Sequence, residues 1–235
     1  MKALILNSGT GSRMGKIGIC KCMMELSEGR SIIDEQLRRL TNCGINDICM
    51  TTGAYAAELE SHLRGRFPGI NFEFIHNPLY DKTNYIYSIY LARGLLRDDI
   101  ILMHGDLVFD TALLSQAISS PASCMIIDTT KPLPEKDFKA VIKNGKIREV
   151  GVNFFESAVY AQPLYKLLWQ DWSVWLAEIE RFCLENVTNV YAENALNLMS
   201  DKINLLPLDS RGLMCFEVDN AEDLNYARDV YRQCK

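Results

Sequence analysis

Residues 2–15 read KALILNSGTGSRMG, and Lys21 follows after a short gap. The first part of this stretch is apolar and predicts a short buried strand that runs directly into a glycine-rich loop. Gly9 and Gly11 permit positive φ angles and close backbone approach, so successive N–H groups can point at one anion. Arg13 and Lys21 can neutralise the charge that remains. The stretch therefore predicts a binding loop for a polyphosphate.

The spacing within this loop excludes two familiar phosphate-binding motifs. A dinucleotide fingerprint requires G-x-G-x-x-G, but Met14 stands where the third glycine belongs. A Walker loop requires Ser or Thr after Gly-Lys, but Ile17 follows Gly15-Lys16. The remaining pattern, G-x-G-x-R-M-G with a later lysine, resembles the signature loop of nucleotidyltransferases that join an NTP to a small phosphorylated compound. The alternative is a plain glycine-rich turn between a strand and a helix.

The composition predicts a single globular domain with a small-molecule ligand. The chain has 235 residues, of which 48% are hydrophobic and 23% are charged, as in ordinary globular proteins. A net charge of −5 argues against a nucleic acid polymer as partner, because no basic stripe is available to displace counterions. No apolar run approaches the roughly 18 residues of a membrane span, so we expect no membrane partner.

The cysteines point to a reducing compartment. There are 8 of them, scattered along the chain and mostly within apolar runs. No C-x-x-C pair occurs, and Cys20-Lys21-Cys22 is too close and too isolated for a zinc site. Reduced thiols in a cytoplasmic protein fit this usage best.

Helices and strands alternate after the loop. Ser31 and Asp34 resemble a capping box, and the helix that they begin ends at Gly44. A strand over 45–52, a second helix and a strand over 71–75 follow. This order predicts an α/β fold with a right-handed, parallel, doubly wound sheet of the Rossmann-like kind.

The ends of the predicted strands should form one crevice. Ligands of doubly wound sheets lie beyond the carboxyl ends of the strands. Gly9, Gly53 and Asn77 fall at such ends, so we expect them to converge. We expect one domain over 1–235, with a nucleotide-binding half over 1–121 and an acceptor-binding and metal-completing half over 122–235.

Residues 77–93 form a polar loop that leads into a helix. Thr83 or Asn84 suits the N-cap position. On one interpretation these side chains only cap the helix. On the other, Asn84 and Ser88 face the crevice and contact the nucleotide, because small polar side chains at a helix N-terminus hold sugar or phosphate oxygens.

Two aspartates follow apolar strands. Asp106 comes after Ile-Ile-Leu-Met-His-Gly, where Gly105 permits a close turn, and Asp219 comes after Met-Cys-Phe-Glu-Val. A carboxylate at such a strand end, beside a triphosphate, suits Mg²⁺, and two of them could share one ion. The alternative for Asp106 is a helix cap, although Asp110 is the more natural cap. We expect His104 to be structural.

The second half of the chain changes character. Residues 138–143 and 146–152 flank Asn144-Gly145 and predict a hairpin, which makes this part antiparallel. Such a hairpin would form the wall of a second pocket for the co-substrate. Lys139 lies at its start, and it is either a solvated strand lysine or a catalytic one.

The rest of the second half predicts helices and two short strands. Helical spacing of apolar residues over 163–184 predicts one aromatic-rich helix, which favours a core or dimer contact. Glu193 lies at the start of another helix, as an acid favoured by the helix dipole or as a ligand for a substrate ammonium. Strands are expected over 203–206 and 214–218, before a terminal helix.

The motifs taken together resemble one group of enzymes. They are Leu6-Asn-Ser-Gly-x-Gly-x-Arg-Met-Gly15, Thr52-Gly53, Tyr80-Asp-Lys-Thr-Asn-Tyr-Ile-Tyr-Ser88, His104-Gly-Asp106, Pro134-Glu-Lys-Asp-Phe-Lys139, Tyr191-Ala-Glu-Asn-Ala-Leu-Asn197 and Glu217-Val-Asp219. This set resembles the small CTP-dependent nucleotidyltransferases, which activate phosphocholine or 2-aminoethylphosphonate, and it is most similar to the 2-aminoethylphosphonate cytidylyltransferases. The resemblance implies a Rossmann-like nucleotidyltransferase fold, CTP as a substrate and Mg²⁺ as the cofactor.

The resemblance also implies roles for single residues. Arg13 and Lys21 would hold the triphosphate, Asp106 and Asp219 would hold the metal, and Lys139 would meet the incoming phosphonate. One departure is that Cys20 stands where the family usually has proline before the lysine, so the loop around Lys21 can differ from the family's.

We expect three sets of site residues. The catalytic set is Arg13, Lys21 and Lys139. The nucleotide-binding set is Asn7, Gly9, Thr10, Gly11, Ser12, Arg13, Lys21, Thr52, Gly53, Thr83, Asn84, Ser88 and Gly105. The acceptor-binding set is Asp137, Lys139, Tyr160, Tyr191 and Glu193, which offers carboxylates and aromatic faces to an amine.

The sequence therefore predicts transfer of CMP from CTP to 2-aminoethylphosphonate, with release of pyrophosphate. The alternatives are phosphocholine or another small phosphate as acceptor, a sugar-1-phosphate nucleotidyltransferase, and a non-catalytic nucleotide-binding regulator. Met14 disfavours an NAD-dependent dehydrogenase. The expected partners are small molecules, and a homodimer remains open.

Overall fold

A computed structural model describes residues 1–9 and 18–233. Its strands are β1 Lys2–Asn7, β2 Glu25–Ser27, β3 Arg30–Ser31, β4 Asp47–Thr52, β5 Asn71–His76, β6 Ile100–His104, β7 Leu107–Phe109, β8 Cys124–Asp128, β9 Lys139–Lys143, β10 Lys146–Gly151, β11 Ala158–Leu167, β12 Leu206–Asp209 and β13 Cys215–Glu217. Its α-helices are α1 Ile32–Asn42, α2 Ala56–Arg66, α3 Tyr85–Ala92, α4 Thr111–Ser119, α5 Trp169–Leu184, α6 Glu193–Met199 and α7 Ala221–Gln233.

The N-terminal half forms the parallel part of the central sheet. Strands β6, β1, β4 and β5 lie side by side in that order, all parallel. Their carboxyl ends therefore meet at one edge, where Asn7, Thr52, His76 and His104 are the last strand residues. The predicted α/β class with a mostly parallel central sheet is confirmed.

The C-terminal half adds antiparallel strands to the same sheet. Strand β11 pairs antiparallel with β6, β8 and β9, and the hairpin β9–β10 extends the sheet. Asn144 and Gly145 both have positive φ, at 53° and 72°, as the predicted Asn-Gly turn requires. Because β11 continues past the end of β6, the hairpin stands beside the edge where the parallel strands end.

Two element predictions in this half were wrong. Residues 163–167 belong to β11 and not to the helix, which begins at Trp169. Pro163 fits in the strand because the pairing of β11 with β8 is irregular between Ala161 and Tyr165, where the ladder does not need its N–H. The expected strand over 203–206 lies at Leu206–Asp209 instead, where the residues pair with β8.

Helices cover both faces of the sheet. Successive side chains of β1 point to opposite faces, so Leu4 and Leu6 join one core cluster while Ala3 and Ile5 join another. Helices α3, α5 and α6 contribute to the first cluster, and α1, α2 and α4 contribute to the second. Burial on both faces explains why the strand sequences are continuously apolar.

Two short strands outside the main sheet connect the chain's distant parts. Strand β7 pairs antiparallel with β13, with Leu107 opposite Glu217. The backbone N–H of Val218 donates to the carbonyl of Asp106 at 2.9 Å. Helix α7 packs over this pair through Leu224 and Ala227. The pairing brings residues 106 and 219 together although they are far apart in the chain.

Candidate active site

A cavity of about 420 Å³ lies at the edge where the parallel strands end. Its walls come from the exits of β1, β6 and β13, from the loop and helix after β5, and from the loops on either side of the β9–β10 hairpin. This is the place at which doubly wound sheets bind their ligands. The predicted residues Gly9 and Asn77 both line the cavity.

The exit of β1 supplies polar groups to the cavity. Asn7 and Ser8 line it and are only 9% and 7% exposed. Within the described residues, Asn7 Nδ2 and Ser8 Oγ have no hydrogen-bond partner. Buried polar atoms that lack a protein partner are suited to a ligand, because leaving them unpaired costs free energy. Ser8 was not among the predicted site residues, although its place between a strand and the first glycine was a usable signal.

Two of the predicted glycines shape this edge without lining the cavity. A Cβ on residue 105 would lie 1.7 Å from Asn7 Oδ1, and one on residue 53 would lie 2.3 Å from the carbonyl oxygen of Ser8. Only glycine allows these approaches. Gly53 and Gly105 therefore set the position of the β1 exit, and Thr52 is fully buried beside them.

Four predicted residues fall outside the described part of the chain. They are Thr10, Gly11, Ser12 and Arg13. Their roles in binding the nucleotide stay predictions.

Two acidic side chains meet at one cation. Lys21 Nζ lies 2.6 Å from Asp106 Oδ2 and 2.6 Å from Asp219 Oδ1. Burial of Lys21 lowers its pKa, but the Asp106 and Asp219 carboxylates outweigh this and leave the pKa raised. We call Asp106 and Asp219 the acid pair. The structure brings the two predicted metal ligands together, and their role with a metal stays a prediction.

A histidine–glutamate pair lies directly beside the acid pair. His104 Nδ1 is 2.8 Å from Glu217 Oε1, and both side chains line the cavity. Burial lowers the pKa of His104, but Glu217 outweighs this and raises it to about 8. Burial also raises the pKa of Glu217. One ligand atom each of His104, Asp106 and Glu217 lies within 4.8 Å of the others, so this group could also hold a metal ion.

Sequence reasoning treated His104 as structural and did not single out Glu217. Each stands two residues before an aspartate of the acid pair. His104 is the last residue of β6 and Glu217 is the last residue of β13, and this shared position before an aspartate was the available signal.

The loop after β5 forms a polar wall. Asn77 Nδ2 donates to Thr83 Oγ1 and to Ser88 Oγ, both at 3.0 Å, and its Oδ1 accepts from the N–H of Leu79. Asn84 is the N-cap of α3, and its side chain accepts from the N–H of Tyr85. Thr83, Asn84 and Ser88 all line the cavity, so Asn84 both caps the helix and faces the site.

Three aromatic side chains form another wall, which we call the aromatic wall: Tyr85, Phe138 and Tyr191. All three line the cavity. The ring centroids of Phe138 and Tyr191 are 5.3 Å apart, and those of Tyr85 and Tyr191 are 5.9 Å apart. Tyr85 also packs edge-on against His104 at 4.9 Å. The aromatic wall therefore stands beside the acidic groups of the site.

Glu193 supports this wall from behind. It is 1% exposed, and it accepts hydrogen bonds from the hydroxyl of Tyr85 and, at 2.8 Å, from that of Tyr165. Burial and the charge of Glu193 raise the pKa of both tyrosines well above the usual range. Glu193 does not line the cavity, so it positions Tyr85 and lies behind the surface that a substrate would touch.

The remaining acceptor candidates differ in exposure to the cavity. Asp137 lines it, as does the neighbouring Lys136. Tyr160 lies behind and donates its hydroxyl to Asp137 Oδ2 at 3.1 Å. Lys139 is fully buried, and its Nζ donates to the carbonyl oxygens of Glu135 at 3.1 Å and Val152 at 2.6 Å.

Lys139 thus joins two loops of the acceptor side. Its ammonium also lies 4.1 Å from the centroid of the Phe155 ring. In this structure the Lys139 side chain does not line the cavity, and it acts on the cavity through the two loops that it holds. A direct contact with the phosphonate stays a prediction.

Comparison with known proteins places this arrangement in a family. The MobA-like NTP transferase domain matches residues 3–133, which include the β1 exit, the polar wall and Asp106. The chain belongs to the MobA-like NTP transferase family. The predicted resemblance to nucleotidyltransferases is thereby confirmed.

Two relatives of this NTP transferase domain have named activities. One is the CMP-5'-(3-aminopropyl)phosphonate synthase of Streptomyces rubellomurinus, 27% identical over 57% of this chain and 21% of that protein. The other is the CTP:phosphoglutamine cytidylyltransferase of Campylobacter jejuni, 26% identical over 95% of this chain and 98% of the relative. The chain thus spans about a fifth of the first relative and nearly all of the second.

The fold of the NTP transferase domain is also found in solved structures. The inositol-1-phosphate CTP transferase of T. maritima superposes with a TM-score of 0.81 at 17% identity, over 98% of this chain and 93% of that one. Among the described residues of the present domain, no helix combines the length and apolar character needed to cross a bilayer.

Proposed function

We propose that this NTP transferase domain transfers CMP from CTP to 2-aminoethylphosphonate and releases pyrophosphate. The observation that carries the proposal is the acid pair, held by Lys21 in a cavity at the exit of β1. Two carboxylates around one cation, beside buried polar atoms that lack a partner, suit a triphosphate and its counter-ion. Both relatives named above carry CMP or CTP in their names, which supports cytosine as the base.

The acid pair also fits Mg²⁺. Carboxylate oxygens are the protein ligands that Mg²⁺ takes, and the position between Asp106 and Asp219 is already occupied by a positive group, the Lys21 ammonium. Asp106 and Asp219 would hold the ion, with Glu217 and His104 next to them. When bound, it would neutralise charge on the triphosphate.

The reaction itself asks little covalent chemistry of the protein. A phosphonate oxygen of the acceptor attacks the α-phosphorus of CTP, the bond to the bridging oxygen breaks, and pyrophosphate leaves. The attacking oxygen is already largely ionised near neutral pH, so no side chain needs to remove a proton. The barrier lies in bringing two anions together, and it is lowered by positioning and fixed positive charge. Lys21, and Arg13 by resemblance, supply that charge.

The aromatic wall supports an acceptor that carries an amine. An ammonium group is attracted to the faces of aromatic rings and to carboxylates, and Asp137, next to Phe138 in the chain, also lines the cavity. An acceptor whose phosphonate faces the acid pair would place its amine near the aromatic wall and Asp137. This is the reason for preferring an aminated phosphonate to a sugar phosphate, which needs side chains that read several hydroxyl groups.

A second candidate acceptor is phosphocholine. Three rings, of which Tyr191 contacts the other two, also suit a quaternary ammonium, which donates no hydrogen bonds and is recognised through aromatic faces. The carboxylate of Asp137 favours a primary ammonium, which can donate to it.

The test is pyrophosphate release from a matrix of substrates. CTP, UTP, ATP and dTTP are each combined with 2-aminoethylphosphonate, phosphocholine, phosphoglutamine and glucose 1-phosphate, with and without Mg²⁺. We expect the highest kcat/KM for CTP with 2-aminoethylphosphonate and no release without the metal. Preference for glucose 1-phosphate would overturn the acceptor class, and absence of release with every pair would overturn the transferase itself.

A further inference from the structure

Lys21 is flanked by two thiols that touch each other. Cys20 Sγ and Cys22 Sγ are 3.3 Å apart, and Lys21 between them holds the acid pair. Both cysteines line the cavity. Sulfur atoms already in contact need only a small movement to reach the bonded distance of about 2.05 Å.

We infer that Cys20 and Cys22 form a reversible disulfide that switches the active site off by moving Lys21 away from the acid pair and from the triphosphate that it would neutralise. The loss of activity rests on the proposed function, whereas formation of the disulfide does not. The site is thus a modification site for a small peroxide, with the cavity as its entrance.

The local backbone explains why closure would move Lys21. Residues Lys21–Met23 form a single 3-10 turn, in which the N–H of Met23 donates to the carbonyl of Cys20 at 2.9 Å. A disulfide between residues i and i+2 closes a ring that contains the whole backbone of the residue between them. Bringing the sulfurs together therefore bends the chain at Lys21. A misplacement on the order of 1 Å at a charge-positioning group lowers the rate of reaction by about a hundredfold.

The two sulfurs differ in the way that the reaction needs. A hydrogen bond from the Cys22 thiol lowers the pKa of Cys20, whereas burial raises the pKa of Cys22. The thiolate is the nucleophile, so Cys20 is the residue that meets the oxidant. Cys22 then acts as the resolving thiol.

Hydrogen peroxide is the oxidant that fits a cavity of this kind, since Cys20 and Cys22 are only 5% and 1% exposed. The Cys20 thiolate attacks one peroxide oxygen, the O–O bond breaks and hydroxide leaves, which gives a sulfenic acid. The Cys22 sulfur attacks the Cys20 sulfur, the S–S bond forms, and the sulfenic oxygen leaves as water with the Cys22 proton. In total, two thiols and one peroxide give one disulfide and two waters, and the sulfurs lose the two electrons that the peroxide gains.

Reversibility follows from ring strain. A disulfide between residues only two positions apart departs from relaxed geometry. Strained disulfides have higher reduction potentials and are reduced more easily. Thiol reductants of the dithiothreitol class should restore the free pair and the activity together.

Trypsin provides a direct readout, because it cuts after Lys21. The reduced chain yields the separate peptides 17–21 (IGICK) and 22–30 (CMMELSEGR). After peroxide treatment and alkylation of free thiols, we expect these two peptides joined, or the uncut 17–30 peptide lighter by about 2 Da for two lost hydrogens. Oxidation of Met23 or Met24 adds oxygen and is not reversed by dithiothreitol, so it is distinguished.

The activity arm compares each protein with its own reduced form. In the wild type, peroxide should lower pyrophosphate release by at least about tenfold, and dithiothreitol should restore it. In Cys20→Ser, Cys22→Ser and the double variant, peroxide should change the rate of pyrophosphate release by less than about twofold. Cys43→Ser, which removes a thiol that does not line the cavity, should respond like the wild type.

Each outcome decides the inference. Separate peptides after treatment would show that no disulfide forms. Joined peptides with unchanged activity would show that Lys21 keeps its place, which overturns the switch. If the reduced enzyme releases no pyrophosphate with any substrate pair, the proposed function fails, and the peptide map still reports whether the disulfide exists.

Discussion

The acid pair and the aromatic wall line the same cavity, but they are held in different ways. The acid pair follows strand ends, and its position is set by the pairing of β7 with β13 and by the close approach of Gly105 to Asn7. The aromatic wall is held by side chains, through ring contacts and the hydroxyl of Tyr85 on the buried Glu193. Main-chain geometry tolerates few changes, whereas packed side chains can be exchanged. Under the proposed function, the fold would fix the nucleotide chemistry and the aromatic wall would select the acceptor.

The largest expected effect is at the acid pair. Asp106→Asn keeps the size of the side chain but removes its charge, and we expect Mg²⁺-dependent pyrophosphate release to fall by at least about a thousandfold. The measurement is initial rate against Mg²⁺ concentration. Asp110→Asn is the matched control, because Asp110 accepts from the N–H of Met214 and does not line the cavity. Near-normal release by Asp106→Asn would remove this residue from the site.

Lys139 joins two loops of the acceptor side, and its replacement should separate CTP binding from turnover. Lys139→Ala frees the carbonyls of Glu135 and Val152 that the ammonium now holds. We expect kcat to fall by about a hundredfold, as for a misplaced reacting group, with little change in the Kd of CTP. Lys143→Ala, on the same strand but 64% exposed, should leave both constants unchanged.

Calorimetric titration with CTP and steady-state kinetics measure the two constants for Lys139→Ala. Equal losses in CTP affinity and in turnover would contradict an acceptor-side role.

A smaller effect is expected where the backbone packs most closely. In Gly105→Ala the new Cβ would meet Asn7 Oδ1 at 1.7 Å, so the Asn7 side chain at the β1 exit must move. We expect a loss of about 1–3 kcal/mol in the free energy of unfolding and weaker CTP binding. Gly65→Ala, in α2 with nothing within 4 Å, should be neutral or stabilising by up to about 1 kcal/mol. Urea unfolding measures the free energy of unfolding of both variants. Equal values for Gly105→Ala and Gly65→Ala would contradict the close approach of residue 105 to Asn7.

The smallest effect is expected at the aromatic wall. Tyr191→Leu keeps an apolar side chain but removes a ring that can attract an ammonium, so the KM of the acceptor should rise by about three- to thirtyfold, the equivalent of about 0.5–2 kcal/mol. The KM of CTP should stay within twofold. Tyr226→Leu, an exposed tyrosine of α7, is the matched control. A selective rise in the KM of CTP would place Tyr191 on the nucleotide side and contradict the division between the two regions.

Local signals were sufficient for most elements of the fold. The capping box of Ser31 and Asp34, the Asn144-Gly145 turn and the helix that begins after Asn84 were predicted and are present. One of the two failures was at 163–167, because a strand buried on both faces and the first turn of an apolar helix have the same composition. Only pairing with β6 and β8 distinguishes the two.

By itself the sequence determined which residue types stand at the strand ends: the glycine-rich loop after β1, the aspartates at 106 and 219, and the order of elements that puts those ends on one edge. The tertiary structure alone decided which of them meet. It placed Lys21 between the acid pair, paired His104 with Glu217, and put Glu193 and Lys139 behind the residues that line the cavity. The physical reason is that strand and helix periods follow from neighbouring residues, whereas contacts across many residues depend on the packing of the whole sheet and its helices.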